Sequence, residues 1–460
     1  MHHTSIRSIT AGVFLLLLPA TPHAQDGALD LSFDPGLGAS WSVLDIVVQP
    51  DERILVGGWF GTFNGAGSPY LVRLNVDGSV DPNFSTGLGP NGFVSTLAQR
   101  PDGRTLIGGD FFQYDGMPCS FLAQVQPNGG FDMAMGGTDI QMVETVRLRP
   151  DGRAVVVGSI IPGYITQLNT NGTVDPTFQP GLGANDLLRD VLVLPSGQVM
   201  IAGLLWSYDG NPALGIARIN ADGTWDGTFN ATGGPDSFVD RMALQPDGKI
   251  LISGGFATYD GVLVNGLCRI YPDGSLDPTF TSGITSGGVL RMLVQPDGRI
   301  LIGGTFTEYD GVPRNRIARL EPDGSLDLTF DPGTGADGPV SALALQPNGR
   351  LLVGGSFTSY DGTPRARVAR LHGTMETALH ELRHPAIQQV MIPGMVAVPE
   401  GWEGAAHVVV LDHGGRTVKE LRVMLAPAAG PIDLGPLPAG AYLVRLEQAG
   451  RMVVGRTFVW

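Results

Sequence analysis

The sequence predicts an all-β protein, a seven-bladed β-propeller of ~50-residue repeats followed by a small C-terminal β-sandwich. The composition and a sevenfold internal repeat lead to this prediction. Of 460 residues, 67 are Gly and 34 are Pro, nearly twice their usual share, and both are poor helix formers. Only 16% of the residues are charged and 43% are apolar, a balance that excludes a disordered chain.

The charge and cysteine content exclude several classes of function. The formal net charge is −15, and no basic cluster is present to neutralise phosphates, so nucleic acid is excluded as a partner. No motif calls for a cofactor. Cys119 and Cys268 fall in different repeats, so we expect two buried thiols and no disulfide framework.

The N-terminus has the pattern of a cleavable export signal. Arg7 precedes a short apolar run at 11–18, and Pro22-His23-Ala24 offers a small-residue cleavage site. The run is too short to span a bilayer. We therefore expect a signal peptide over residues 1–24, export through the periplasm, and no transmembrane segment later in the chain.

Two anchors repeat seven times and define the blades. The first is a turn that begins with Pro and usually reads Pro-Asp-Gly-Arg. The second is an Asp, usually within Leu-Asp-x-x-Phe. The turn prolines are Pro50, Pro101, Pro150, Pro195, Pro246, Pro296 and Pro347.

Between the anchors, short β-branched runs alternate with Asp-Gly turns, which are strong hairpin signals. Each unit thus reads as three or four antiparallel strands, the content of a propeller blade. The alternative is an open β-solenoid, which would need two caps. The ring is favoured because the chain starts with Leu-Asp-Leu-Ser-Phe at 29–33 and ends its last repeat with Val-Ala-Arg-Leu at 368–371, so the first strand can complete the last blade.

The repeated Asp is predicted to have a structural role, because a binding site would be asymmetric whereas a fold-holding contact repeats. We expect it to cap a turn or to bond the backbone or the Arg or Gln of the preceding strand. These residues are Asp30, Asp81, Asp132, Asp175, Asp226, Asp277 and Asp327, with Arg73, Gln124, Gln167, Arg218, Arg269, Arg319 and Arg370 as candidate partners. A Gly-Gly pair after the second strand suggests a bulge or close packing of the blades.

A Tyr-Asp-Gly loop recurs on one face of the predicted ring. Blade 1 carries the variant Phe63-Asn64-Gly65, and blade 3 lacks the loop. One interpretation is a set of tight turns with packed aromatics; the other is a ligand-binding face. One acid per loop is too few for a Ca²⁺ site, and no metal is expected. The candidate binding residues are Tyr114, Asp115, Tyr208, Asp209, Tyr259, Asp260, Tyr309, Asp310, Tyr360 and Asp361.

The combined pattern of Leu-Asp-x-x-Phe, Gln-Pro-Asp-Gly-Arg, Tyr-Asp-Gly and Ile-Ala-Arg-Leu resembles the delta-60 repeat family of secreted bacterial proteins. The resemblance covers residues 30–371. It implies a propeller-like fold and no enzymatic activity. Kelch repeats are a weaker match, because the Trp expected near the end of each kelch repeat is missing.

After a linker at 374–392, residues 393–460 read as a small β-sandwich, so the predicted domains are 1–24, 25–373, 374–392 and 393–460. Its final 50 residues resemble the type IX secretion C-terminal sorting domain, without the usual Pro-Asn-Pro start. The resemblance implies the type IX machinery as a partner and delivery to the outer cell surface. The alternative is a fibronectin-like accessory sandwich. The matching residues are Asp412, Gly415, Arg416, Gly440, Tyr442 and Gly450.

One catalytic motif appears, in an unsuitable place. The string His380-Glu381-Leu382-Arg383-His384 matches the zinc-protease pattern, which needs both His on one helical turn. A following Pro disfavours that helix, and the segment lies in the linker. We do not expect zinc there.

The function predicted from the sequence is an exported, surface-attached propeller that binds a glycan or surface protein, or serves as a structural surface component, without catalysis. The alternative is a secreted carbohydrate-active hydrolase or lyase with its site in the propeller channel. Such a site would need residues that break the repeat. The divergent charged residues are Asp139, Glu144, Asp186, Arg189, Asp236 and Asp240.

Overall fold

The computed structural model describes the predicted repeat region almost completely. It covers residues 25–137, 139–229 and 233–373, then 395–396, 404–411, 417–425, 432–434, 440–448 and 451–459. The predicted signal peptide, the linker and the His380–His384 string lie outside the described residues. Within the described part, no helix has the length and apolar character needed to cross a membrane.

The repeat region is a seven-bladed β-propeller, as the sequence predicted. Each blade is an antiparallel sheet in which the inner, middle and third strands follow chain order. The strands of the first three blades are β1 (Val43–Val48), β2 (Ile54–Gly58), β3 (Thr62–Phe63), β4 (Ala66–Gly67), β5 (Leu71–Leu74), β6 (Val94–Gln99), β7 (Thr105–Gly109), β8 (Gln113–Tyr114), β9 (Met117–Pro118), β10 (Leu122–Val125), β11 (Phe131–Ala134), β12 (Ile140–Leu148), β13 (Ala154–Ile160) and β14 (Ile165–Leu168).

Blades 4 to 7 follow the same plan, and each carries a two-residue hairpin between its middle and third strands. Their strands are β15 (Leu188–Val193), β16 (Val199–Gly203), β17 (Ser207–Tyr208), β18 (Asn211–Pro212), β19 (Ile216–Ile219), β20 (Val239–Leu244), β21 (Ile250–Gly254), β22 (Thr258–Tyr259), β23 (Val262–Leu263), β24 (Leu267–Ile270), β25 (Val289–Val294), β26 (Ile300–Gly304), β27 (Glu308–Tyr309), β28 (Val312–Pro313), β29 (Ile317–Leu320), β30 (Val340–Leu345), β31 (Leu351–Gly355), β32 (Ser359–Tyr360), β33 (Thr363–Pro364) and β34 (Val368–Leu371).

The core lies between adjacent blades, and glycine lets them approach. Inner strand β1 packs against both β6 and β30, which closes the ring of inner strands. The first residue of the Gly-Gly pair faces the next blade: a Cβ at Gly354 would lie 2.6 Å from Val43 Cγ1, and one at Gly108 would lie 2.5 Å from Val143 Cγ1. A side chain there would push neighbouring blades apart, which supports the interpretation of the pair as a close-packing element.

Six of the seven blades bury the repeated Asp against cations and a turn, and Asp132 of blade 2 is half-buried. In blade 6, Asp327 Oδ2 accepts hydrogen bonds from Arg319 Nε at 2.6 Å and Arg299 Nη1 at 3.2 Å. Its Oδ1 accepts from the backbone N–H and hydroxyl of Thr329. The Arg319 guanidinium also lies over the ring of Phe330. The corresponding pairs are Arg73–Asp81, Gln124–Asp132, Gln167–Asp175, Arg218–Asp226, Arg269–Asp277 and Arg370–Asp30.

These contacts keep the buried aspartates ionised. Burial alone would raise the pKa of Asp327, but hydrogen bonds from Thr329 and Arg319 outweigh it and lower the pKa to about 2. The pKa of Asp30 and Asp81 is lowered in the same way. A lowered folded-state pKa contributes stability that is present above the unfolded value of about 4 and is lost as the pH falls through the folded value.

In blades 1, 4, 5 and 7 the third-strand Arg also ties the blade to the next one. Arg269 donates a hydrogen bond to the carbonyl of Pro322, in a turn of the following blade. In blade 3 the third strand carries Gln167 instead, and the cation comes from Arg149 at the end of the inner strand, which donates to the equivalent carbonyl, Ala221 O, at 2.9 Å. Gln occupies that inner position in blades 1, 5, 6 and 7, whose third strands carry Arg. The two residue types have therefore exchanged places.

The N-terminal segment closes the ring, as predicted. Leu29 pairs with Leu371 as the fourth strand of blade 7, and the backbone N–H of Asp30 donates to Arg370 O at 2.8 Å. Asp26 pairs with Arg319 of blade 6 at 3.0 Å. Residues 26–30 thus supply the turn and outer strand that every other blade takes from its own repeat.

The C-terminal region forms two small antiparallel sheets. One has the order β37-β36-β39-β40 and the other pairs β35 with β38. Val408 and Val410 of β36 are buried. The bounds are β35 (Met395–Val396), β36 (Gly404–Leu411), β37 (Thr417–Leu425), β38 (Ile432–Asp433), β39 (Gly440–Gln448) and β40 (Arg451–Val459).

We expect Asp30→Ala to destabilise the propeller by about 3 kcal/mol or more, because it leaves the buried Arg370 guanidinium without its partner. The free energy of unfolding from urea denaturation measures this. Asp51→Ala is the control: its carboxylate pairs with the part-exposed Arg53, and surface pairs contribute about 1 kcal/mol or less. Equal losses in the two variants would contradict the closing role of Asp30.

Candidate functional site

The Tyr-Asp-Gly loops lie at one end of the ring, here called the hairpin end, where the middle strands end and the inner strands begin. They form two-residue hairpins such as β8–β9. Asp115 and Gly116 both have positive φ, 48° and 75°, as a type I′ turn requires. The interpretation of these loops as tight turns, made from the sequence, therefore agrees with their backbone conformation.

The tyrosines of these loops do not form a binding face, and that part of the predicted site is wrong. Tyr114, Tyr208, Tyr259, Tyr309 and Tyr360 have no exposed surface. Each hydroxyl donates a hydrogen bond to a turn carbonyl, on Gly129, Gly223, Gly274, Gly324 and Gly27 respectively. The five rings belong to the buried apolar clusters of their blades.

The aspartates of the same loops hold the chain that connects successive blades. The Asp115 carboxylate accepts the backbone N–H of Leu88 at 2.9 Å, and Asp361 accepts that of Thr334 at 2.8 Å. Asp209 and Asp260 make the same contact with Leu182 and Gly234, and Asp310 donates its backbone N–H to Gly283 O. In the part of the chain that the structure describes, no group of three or more His, Cys, Asp or Glu could hold a metal ion.

Four of the exposed groups at the hairpin end are aromatic side chains that the sequence analysis did not identify; the exposed Leu37, Leu88 and Leu182 lie in loops at the same end. Trp41, Trp59, Phe112 and Trp206 are 56–61% exposed and are the exposed aromatics among the described residues. All four lie at this end of the ring; we call them the aromatic rim. Aligning the repeats would have identified them, because most other blades carry Gly, Ala, Ser, Thr or Asp at these positions.

Two sites along the rim are built between blades. Trp59 packs against Phe93, which precedes inner strand β6, with ring centroids 5.3 Å apart and the ring planes inclined at 33°. Between blades 4 and 5, Trp206 borders a small apolar pocket together with Leu204, Leu214 and Phe238. Phe93 and Phe238 directly precede inner strands β6 and β20, so both sites adjoin the start of an inner strand.

A β-bulge interrupts the inner strand of every blade at the same level of the channel, the space that the inner strands enclose. In blade 3 the register shifts between Val143 and Thr145, which leaves Glu144 unpaired in the ladder. All seven bulged residues are half-buried. This bulge ring consists of Leu44, Ser95, Glu144, Arg189, Asp240, Leu290 and Ser341.

Three consecutive members of the bulge ring are charged, and they include half of the divergent residues found in the sequence. Arg189 of blade 4 forms an ion pair with Asp240 of blade 5. None of the described residues donates a hydrogen bond to the Glu144 carboxylate. Burial raises the pKa of Glu144; the charges of Arg241 and Arg189 lower it in part, and that of Asp240 raises it.

The charges deeper in the channel are satisfied by the protein. Asp45 accepts hydrogen bonds from Arg291 at 3.1 Å and from the backbone N–H of Leu97 at 2.9 Å. Asp190 accepts the backbone N–H of Met242 at 2.8 Å and lies 3.6 Å from Arg147. These acids bridge neighbouring inner strands and are structural.

The other divergent residues do not join this site. Asp236 accepts the backbone N–H of Ala257 at 2.8 Å, the contact that Asn185 makes with Trp206 and Asp337 with Thr358. It is thus a repeated cap and not a divergent residue. Asp186 bonds only its neighbour's backbone N–H, and the backbone oxygen of Asp139 accepts from Ile161.

The remaining predicted residues lie elsewhere. Gly440 and Tyr442 begin strand β39, opposite Val459 and Thr457 of β40. Cys119 and Cys268 are buried free thiols, and burial raises the pKa of Cys119 to about 11. Asp412, Gly415, Arg416 and Gly450 of the predicted sorting signal lie outside the described residues.

A family model matches each blade in turn, and it is described as a domain of unknown function (DUF5122) beta-propeller. The chain belongs to this family. The matches begin near the first turn of each repeat and together cover half of the chain. The matched residues are 49–84, 100–134, 149–178, 194–229, 245–280, 295–330 and 346–373. No curated protein matches the sequence.

Solved structures resemble this DUF5122 propeller only distantly. The extracellular domain of the putative one component system BT4673 from B. thetaiotaomicron has 12% identity and a TM-score of 0.45, over 95% of this chain and 59% of that chain. PorZ, a surface component of the type-IX secretion system of Porphyromonas gingivalis, has 15% identity and a TM-score of 0.44, over 96% and 61%. Virginiamycin B lyase from Staphylococcus aureus has 11% identity and a TM-score of 0.45, over 72% and 95%. The chain thus spans about three fifths of the first two proteins.

Proposed function

We propose that this DUF5122 protein is an exported, surface-attached propeller that binds a glycan at the hairpin end and does not catalyse a reaction. The observation that carries the proposal is the aromatic rim. All four exposed aromatics of the described chain lie at one end of the ring. Exposing large aromatic surface is unfavourable in water, so a cluster of this kind indicates a contact site.

The arrangement of the rim favours a glycan over a protein partner. Protein interfaces bury a contiguous apolar core. Here the aromatics stand apart on blades 1, 2 and 4, with the charged part of the bulge ring set inside them. Separate rings with polar groups between them suit a ligand whose apolar faces alternate with hydroxyls, as in a sugar chain. Binding to a surface protein is the competing outcome.

The propeller also presents these side chains on a rigid support. Trp59 follows β2 directly, and its backbone N–H donates a hydrogen bond to Ser42 O at 2.8 Å, beside the start of β1. Rings held on sheet ends lose little conformational entropy when a ligand binds, which favours affinity.

We expect Trp59→Ala and Trp206→Ala each to weaken glycan binding about tenfold or more, which corresponds to about 1.4 kcal/mol. Leu328→Ala is the control: Leu328 is as exposed as the rim aromatics, but it lies beside the buried Asp327, away from the rim. A glycan array would find ligands, and calorimetry on the full chain would measure them. Retention of proteins but no glycan, or equal binding by all variants, would contradict the proposal.

Export rests on the two ends of the chain. The pattern of residues 1–24 is that of a signal peptide, and the last 50 residues resemble a type IX sorting domain. Together these features support passage through the periplasm, recognition by the type IX machinery and attachment at the outer surface.

Deleting residues 393–460 should leave the propeller in the periplasm of a host that has type IX secretion. Cell fractionation and protease accessibility would measure this, with the full chain as reference. Surface display of the truncated protein would contradict a sorting role for the C-terminal region and would leave the binding proposal intact.

A hydrolase or lyase in the channel is the second candidate function, and one observation favours it. Glu144 and Asp240 lie on the same bulge ring in different environments: burial raises the pKa of Glu144, whereas Asp240 is ion-paired with Arg189. Two carboxyl groups that differ in this way can serve as acid and base. Release of reducing ends or unsaturated sugars by the full chain, abolished in Glu144→Gln, would establish catalysis; no turnover would exclude it.

A further inference from the structure

We propose that the charged part of the bulge ring, Glu144, Arg189 and Asp240, binds hydroxyl groups of a terminal sugar residue that enters the channel from the hairpin end. This inference rests on the proposed glycan-binding function and deepens it. It assigns a specific subsite to the channel and predicts recognition of chain ends.

The fold does not need charge at these positions. The same bulge forms around Leu44 and Leu290, and around Ser95 and Ser341. In the serine blades the hydroxyl even serves the fold, since Ser95 donates to Val143 O at 2.6 Å. Three adjacent blades carry a charged residue at this position, where the other four carry Leu or Ser.

Half-buried charge carries a cost, and one of the three groups is left without compensation by hydrogen bonds. Arg189 and Asp240 pair with each other. The Glu144 carboxylate receives no hydrogen bond from the described residues. A half-buried carboxylate that receives no hydrogen bond from the protein costs free energy, which the nearby charges of Arg241 and Arg189 offset only in part. A hydroxyl group of a ligand would supply the donor, and perturbed ionisable groups of this kind cluster at functional sites.

The chemistry of the three groups selects the ligand. A carboxylate accepts hydrogen bonds, and a guanidinium only donates them. An ammonium ligand would suit Glu144 and Asp240 but be repelled by Arg189, and a carboxylate ligand would meet two like charges. A hydroxyl both donates and accepts, so neighbouring hydroxyls of one sugar ring can donate to Glu144 and accept from Arg189.

The rest of the ring matches the other face of a sugar. The other four blades carry Leu290, Ser341, Leu44 and Ser95, and both serine hydroxyls donate to backbone carbonyls, so this side of the ring is uncharged and offers two leucines for apolar contact. The subsite is also continuous with the aromatic rim, because the Arg189 guanidinium lies 4.9 Å from the centre of the Phe238 ring, and Phe238 lines the pocket beside Trp206. A chain that stacks on the rim can therefore place its end at the bulge ring.

The chain itself provides test variants that should fold. Glu144→Leu installs the residue of blades 1 and 6, and the double variant Arg189→Leu/Asp240→Ser removes the ion pair as a unit. We expect each to weaken binding of cellohexaose, chitohexaose or mannohexaose, whichever the full chain binds, about tenfold or more. The melting temperature should stay unchanged or rise, because half-buried charge is removed and other blades carry Leu or Ser at the same position. Glu308→Leu is the control, an acid at the hairpin end that bonds Thr285 and lies outside the bulge ring.

The outcomes separate the two proposals. Loss of binding in both ring variants and in Trp206→Ala, with Glu308→Leu normal, supports both. Loss in Trp206→Ala alone overturns the channel subsite and leaves the rim. A full chain that binds no oligosaccharide overturns the proposed function and, with it, the subsite. Should Glu144→Leu lower the melting temperature, the double variant decides. Recognition of chain ends is tested with a terminal O-methylated hexamer: unchanged affinity would overturn the hydroxyl contacts.

Discussion

The structure depends on an aspartate at the outer edge of the blades, which is buried in six of the seven. A carboxylate with almost no exposure is tolerated only because it is hydrogen-bonded, to an Arg or Gln on the third strand and, in most blades, to a hydroxyl and an N–H two residues on. Asp327 makes all of these contacts. Because the paired Arg also lies over the phenylalanine of the same segment and, in most blades, reaches the next blade's turn, one interaction sets both the edge of the sheet and its spacing from its neighbour. In blade 3, Arg149 keeps the contact to the next blade's turn from a different strand, while Gln167 and Arg153 bond the aspartate, so the contact is preserved although its place in the chain differs.

Residues of the bulge ring are less constrained by the fold than their neighbours on the inner strands. The neighbouring inner-strand residues make contacts between blades that restrict the residue type, as Val43 does with Gly354 and Asp45 does with the Leu97 N–H. The bulged residue does not take part in the strand pairing, so different residue types can occupy this position without disrupting the sheet. It is at this level that three adjacent blades depart from the repeat, and the loops just above it carry the exposed aromatics.

Much of the fold followed from the sequence, because the fold is a repeated set of local rules. Asp-Gly turns, alternating apolar runs and seven copies of an anchor determine blades and their number, and the overlap of Leu29 with Leu371 determines closure. The site followed less well. Tyr114 and its counterparts attracted attention because they repeat, yet repetition marks packing, and these rings are buried. Glu144, Arg189 and Asp240 were visible as departures from the repeat, but a one-residue bulge leaves no local signal that would have placed them on one level. Asp236 differed from the repeat in sequence only because Asn makes the same backbone hydrogen bond in blades 2 and 4.

The closure of the ring determines when during synthesis the propeller can complete its fold. The pair that completes the last blade joins Asp30 to Arg370, 340 residues apart in sequence. Contacts of such separation form late and slowly, and this one cannot form until nearly the whole propeller has been synthesised. Until then blade 7 lacks its outer strand and presents an unpaired edge. A stable ring therefore forms only from a chain that carries both the first strand and the last repeat of the propeller, and truncation at either end would leave the outer edge of blade 7 open.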